Sequence, residues 1–228
     1  MTARRFASGV VRLVVAGIAL AASVTVVSGQ DLSRYRDYVL GSPLADVTAA
    51  AGRLASDIKT SHERPALVQE LEWRAPYKRA SDTDADPVEA ITFGFIAGRL
   101  YQLDVTYSRA LTKGMTPRDL VSALTIAYGV PAHVAKMSAR AAMSPALDTL
   151  VLARWKDAQA DITLIRGPFD DIQLIIRSRE LGAQAAAGIQ AALVIDAAEA
   201  PLRRQQALEV ETADALAERT RNKTGFKP

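Results

Sequence analysis

The chain has 228 residues, 49% of them hydrophobic, with Lys+Arg 28 against Asp+Glu 25 and no cysteine. Without a thiol it can form neither disulfides nor a thiolate metal site, and it has no cysteine to carry a lipid. The positive balance belongs to residues 1–29, which hold Arg4, Arg5 and Arg12 and no acid; the remainder carries 25 charges of each sign. A neutral remainder lacks the basic stripe that nucleic-acid binding requires.

In chain order, residues 1–29 come first: arginines, an uncharged and mostly apolar run from Leu13 to Val27, then Ser28 and Gly29. This is the layout of a secretory signal peptide, and the run is short for a membrane span of about 20 residues. We therefore expect an exported protein, periplasmic or secreted, with no stable membrane span after signal cleavage. Next, GSPLADVTAA (Gly41 to Ala50) places Ser42 and Pro43 before an apolar helical run, with the Ser42 hydroxyl as the expected cap. Thr60 to Pro65, which contains His62, Glu63 and Arg64, reads as a polar turn leading into the alternating segment Leu67 to Arg74.

Asp82, Asp84 and Asp86 alternate like the opening of a calcium loop. Pro87 stands where that loop needs glycine and Phe93 where it needs its closing glutamate, so the stretch reads as a solvated linker. Ile91 to Ser108 is two alternating runs about a glycine-containing turn, a β-hairpin signature. LTKGMTPRDLVSALTIAYG (Leu111 to Gly129) then supplies a helix with Thr116 as cap, Pro117 at the first position, Asp119 in the first turn and Gly129 as the stop. Lys113 and Arg118 lie near its start, but with only Gly114 to open the loop, capping explains the motif better than phosphate binding.

The pattern then repeats. Thr149 to Lys156 matches Leu67 to Arg74, both ending in Trp and a cation, and Ile162 to Ser178 matches the first hairpin. The expected fold is α+β: two tandem helix-plus-three-strand repeats forming one antiparallel sheet, with a helical C-terminal extension. The expected boundaries are signal peptide 1–29, repeat unit 1 at 30–109, repeat unit 2 at 110–181 and extension 182–228. Aligning the two helix starts on Pro43 and Pro117, or on Gly41 and Gly114, gives registers one residue apart; the sequence leaves both open.

Period-two alternation assigns the faces. Leu67, Leu71, Trp73, Ile91, Phe93, Phe95, Leu103, Val105 and Tyr107 should line the side under the helices, joined by Val151, Ala153, Trp155, Ile162, Leu164, Ile172, Leu174 and Ile176. The opposite side is polar and mostly acidic in the first unit, with Glu70, Glu72, Arg74, Gln102, Asp104 and Thr106. In the second unit it is apolar with basic ends, through Leu150, Leu152, Arg154, Ile165, Gln173, Ile175 and Arg177. The alanine-rich stretch after Leu181, with Ile189, Leu193 and Ala197 at helical spacing, is expected to cover that apolar part. Beyond Pro201 the chain is strongly charged and reads as a solvated tail.

The chemistry-bearing residues are few. His62 and His133 are far apart, no nucleophile turn accompanies a Ser/His/Asp set, and no cofactor or metal site is expected. The segment Gly114, Met115, Thr116, Asp119, Leu120, and less closely Gly41, Ser42, Asp46, Val47, resembles the SmpA/BamE-type small outer-membrane assembly proteins; two such units in tandem resemble the β-lactamase inhibitory protein architecture. That resemblance covers about 31 to 180 in outline and implies an envelope or secreted protein that works through protein contacts on a sheet face and loops. This chain lacks the lipid-bearing cysteine of the first group and the disulfides of the second.

The expected function is thus an exported, non-enzymatic protein-binding or scaffolding module of the bacterial cell envelope. Its partner would be another protein and not nucleic acid, met by Glu70, Glu72, Arg74, Gln102 and Asp104, with the Thr60 to Pro65 loop second. The alternatives are an inhibitor of a secreted or periplasmic hydrolase and, further off, a carboxylate- or metal-dependent enzyme.

Overall fold

Alternating sequence becomes an eight-stranded antiparallel sheet in a computed structural model that describes residues 31–76, 86–135 and 149–226. The leader, Asp82 and Asp84 lie outside the described residues. A short hairpin comes first, β1 (Arg34–Tyr35) and β2 (Tyr38–Val39), followed by helix α1 (Leu44–Ala50). Strands β3 (Lys59–His62), β4 (Val68–Arg74), β5 (Val88–Ile96) and β6 (Arg99–Tyr107) follow, then helices α2 (Arg109–Thr112) and α3 (Pro117–Tyr128). Strands β7 (His133–Val134), β8 (Leu150–Lys156), β9 (Ala160–Arg166) and β10 (Ile172–Ser178) lead into one long helix, α4 (Arg179–Gly225). The strand order is β3-β4-β5-β6-β10-β9-β8-β7, so each run of strands enters at an outer edge and works inward to the β6–β10 centre.

The molecule is α+β with a helix layer on each face of the sheet. On one face lies the main core, where Leu71, Ile91, Phe93, Leu103, Val105, Trp155, Ile162, Leu164 and Leu174 meet Val47 of α1, Ala51 just past its end and Leu120 of α3. Trp155, Phe93 and Phe95 are its largest fully buried side chains. Each contributes about 1.5–3 kcal/mol relative to exposure. Trp155 also donates its indole N–H to the Gly129 carbonyl at 2.7 Å, tying the end of α3 to β8.

The α3 start is as the sequence specifies. The Thr116 hydroxyl accepts from the Asp119 amide, the Asp119 carboxylate accepts from the Thr116 amide, and Pro117 takes the first position. The expected Ser42 cap is corrected: α1 begins after Pro43 with no side-chain cap, because the Ser42 backbone is used elsewhere, its carbonyl accepting from the Leu100 amide. Pro43 and Thr116 each immediately precede their helix, three residues before an aspartate, and Gly41 and Gly114 have positive φ values of 86° and 84°.

Other expectations also change. Short edge strands, β3 and β7, precede the two three-stranded meanders, so Thr60 to His62 is strand and not loop. A bulge in β8 between Val151 and Ala153 places two residues opposite one on β9. It turns Leu152 into the core, where it is buried, and leaves Val151 on the open face, the reverse of strict alternation. Leu67 lies just before β4 begins and is 39% exposed.

Helix α4 starts at Arg179, three residues before the expected extension, and continues through Pro201 as one helix. It does not lie over the apolar part of the second meander. Its buried residues Gly182, Ala185, Gly188 and Ala192 run over the open side of β6, β5 and β4, where Ala185 and Ile189 pack with Val68, Ile96 and Tyr101. Small side chains allow that approach; a Cβ on Gly188 would lie 2.9 Å from the Ala66 Cβ. By length and composition α4 could cross a membrane, but these four residues face the protein's own sheet. From Pro201 to Phe226 every residue is exposed.

Candidate functional site

The face away from the main core carries three cross-strand rows, fixed by the pairing registers. One row runs Lys59, Glu70, Gly94, Gln102, Arg177, Asp161, Lys156 from β3 to β8. The next runs Glu72, Thr92, Asp104, Ile175, Thr163, Arg154, His133, and the third Arg74, Ala90, Thr106, Gln173, Ile165, Val151. All five predicted contact residues, Glu70, Glu72, Arg74, Gln102 and Asp104, therefore stand on one face within three neighbouring rows.

They fall into two groups there. Glu72 and Arg74 form an exposed ion pair at 2.6 Å along β4. Towards the sheet centre, Arg177 donates from Nε to the Gln102 side-chain oxygen at 2.6 Å, and Gln102 donates from Nε2 to both Asp104 carboxylate oxygens at 2.8 and 2.7 Å. Burial raises the Asp104 pKa above the usual carboxylate value; the Gln102 hydrogen bonds and the Arg177 charge oppose that shift, and the Glu70 charge adds to it. Glu70 itself is exposed. Gly94 in the first row leaves room for Tyr101, whose ring would stand 3.0 Å from any Cβ placed there.

The rows are polarised. Their β4–β6 part holds the carboxylates Glu70, Glu72 and Asp104, whereas the β8–β10 part holds Arg154, Lys156 and Arg177 around Val151 and Ile175. A groove of about 680 Å³ lies over this second part and also takes in His133, Asp161 and Thr163. Asp161 is held by Arg179 at 3.6 Å, while the Arg154 and Lys156 side chains have no ion-pair or hydrogen-bond partner among the described residues. Arg154 and Arg177 belong to the basic ends that alternation assigns to this face. The groove joining them follows from the register and from the β8 bulge, which no local pattern announces.

The remaining candidates do not join the rows. His62 and His133 sit on the two outer strands, β3 and β7. Seven strand spacings separate those strands, about 34 Å. Asp86 makes a two-pronged ion pair with Arg36, both contacts 2.6 Å, and accepts from the Val88 amide. Arg36 also lies 5.4 Å over the Tyr35 ring. This tie between the first hairpin and β5 joins residues fifty positions apart and has no sequence signature. Arg64 reaches Glu199 of α4 at 3.3 Å, so the Thr60 to Pro65 segment helps seat that helix. Among the described residues no group of three or more His, Asp or Glu side chains converges as a metal site. No protein-family model, curated protein or solved structure matches this chain.

Proposed function

We propose that this protein is an exported, non-enzymatic binding or scaffolding module of the bacterial cell envelope, and that the open sheet face is its contact surface for another protein. The observation that carries the reading is the set of three side-chain rows, which offers a broad, charge-patterned surface on a rigid strand scaffold. Contact surfaces of this kind gain specificity and association rate from complementary charge. Residues 1–29 would direct export, in keeping with their arginines, apolar run and small residues.

We further infer that the sheet arose from two helix-plus-three-strand units. Support comes from the matched positive-φ glycines Gly41 and Gly114, from Asp46 and Asp119 three residues into equivalent helix starts, and from meanders that meet at β6 and β10. The likeness to small outer-membrane assembly proteins belongs to this same reading and rests on Gly114, Met115, Thr116, Asp119 and Leu120.

The test is capture of partners from cell envelopes by the wild-type protein and by a Glu70→Lys/Glu72→Lys variant, with circular dichroism confirming that both are folded. Partners held by this face should be lost from the variant. Unchanged capture would overturn the assignment.

A further inference from the structure

The exposed half of α4 and the cationic groove on β8–β10 are complementary surfaces within one chain. From Gln205 to Glu218 the helix carries Glu209, Glu211, Asp214 and Glu218 and no base. Glu211, Asp214 and Glu218 have no side-chain partner among the described residues, and with Ala207 and Val210 they line a shallow helix-surface groove. Spacings of three and four residues place them on one helix face. The same spacing runs back through Arg203, Glu199 and Asp196 to Ala192, Ile189 and Ala185, the line that rests on the sheet.

The seated half of the helix already pairs acids with basic groups of the sheet margin. Asp196 lies 3.9 Å from the His62 imidazole, and Glu199 lies 3.3 Å from Arg64. The exposed half repeats that chemistry with none of the described residues beneath it, whereas Arg154 and Lys156, beside Val151 and Ile175, have no partner above them among the described residues.

The helix cannot reach this groove in its own molecule. It starts at the sheet centre and leaves over β3, away from β8, and its exposed part projects about 38 Å at 1.5 Å per residue. We propose that the occupant of the β8–β10 groove is the distal half of α4 from a second copy of this chain, with Glu211, Asp214 and Glu218 set against Arg154, Lys156 and Arg177. The contact is between different surfaces on the two copies, so it closes into a ring or reciprocal dimer, or grows as an open chain. It rests on the reading of the open sheet face as a contact surface, but uses the half of that face opposite Glu70 and Glu72.

The experiment measures the mass of the purified protein by light scattering across concentration and salt. The wild type is expected to run at two or more chains in low salt and to shift towards monomer near 1 M salt, where the screening length falls to about 3 Å. Glu211→Lys/Asp214→Lys/Glu218→Lys alone, and Arg154→Glu/Lys156→Glu alone, should each be monomeric. Mixing the two variants should restore association, since each retains the surface that the other has lost. Truncation after Ala200, beyond which every described residue is exposed, should also give monomer.

A wild-type monomer at hundreds of micromolar in low salt overturns the proposal, as does an association that survives both charge reversals. Either result leaves the Glu70 and Glu72 capture experiment standing, so the two readings fail separately.

Discussion

Replacing Gly188 with alanine should destabilise the protein although the substitution favours helix. In an exposed helix interior Gly→Ala gains about 1 kcal/mol. Here the new methyl would stand 2.9 Å from the Ala66 Cβ, an atom fixed to the backbone that no rotamer change can move away. Overpacking of this kind costs about 1–3 kcal/mol. The net expectation is a loss of about 1 kcal/mol, read as a lower urea midpoint at unchanged slope. Ala66→Gly alone should cost about 0.5–1 kcal/mol through the flexibility it adds to the unfolded chain.

The double variant Ala66→Gly/Gly188→Ala should recover near wild-type stability, giving a coupling of about 2 kcal/mol in a double-mutant cycle. Gly182→Ala is the control. Its methyl would also meet atoms at 2.9 Å, but these are the Arg177 Cγ and Cδ of a movable stem, so that variant should be neutral or slightly stabilised. If Gly188→Ala instead raised stability by about 1 kcal/mol, as an exposed glycine would, α4 would not rest on β4 and β5 as described.

Three further outcomes follow from the fold. Trp155→Phe should lower stability by about 1–3 kcal/mol, measured by urea denaturation, because the Gly129 carbonyl loses its indole donor. Thr116→Ala should cost about 0.5–2 kcal/mol through the lost cap. The Thr116 hydrogen bonds hold the Asp119 pKa below its usual value, so their stabilisation is present above pH 3.8 and fades as pH falls through the folded value. The gap between wild type and Thr116→Ala should therefore narrow in acid. Asp104 has the opposite sign: its pKa is raised, so its contribution is greatest below pH 3.8 and is lost as pH rises through the folded value. Asp104→Asn should accordingly gain on the wild type as pH rises towards neutrality, and thermal melts at pH 3 and 7 showing no such change would refute the burial argument.

Much of the fold is local and was legible in the sequence. Thr116, Pro117, Asp119 and Gly129 each act within one helix turn, and the alternation in Ile91 to Ser108 and Ile162 to Ser178 follows from pleat geometry. What escaped the reading depends on partners distant in sequence. The β8 bulge exchanges Val151 and Leu152 between faces because Ala153, and not Leu152, pairs with Leu164 of the neighbouring strand. The polar residues Lys59 to His62 become a strand only because β4 supplies an edge. Apolar periodicity gave α4 its helix but not its destination, which depends on Ala185 and Ile189 packing with Val68 and Ile96 and on the close approach of Gly188 to Ala66.

The five predicted contact residues share a face because strand phase alone determines that. The groove beside them depends on the order in which the two meanders meet, and no local signal encodes that order.

The two outer strands carry a consequence for how this molecule meets its own kind. β7 is two residues long, and β3 is interrupted by a bulge and bears Lys59 and His62. Unpaired strand edges are templates for irreversible sheet growth, and shortness, charge and bulges each interrupt that template. Among the described residues, β3 and β7 are therefore poor templates for strand addition. Gathering of chains through their charged surfaces, unlike strand addition, is undone by added salt.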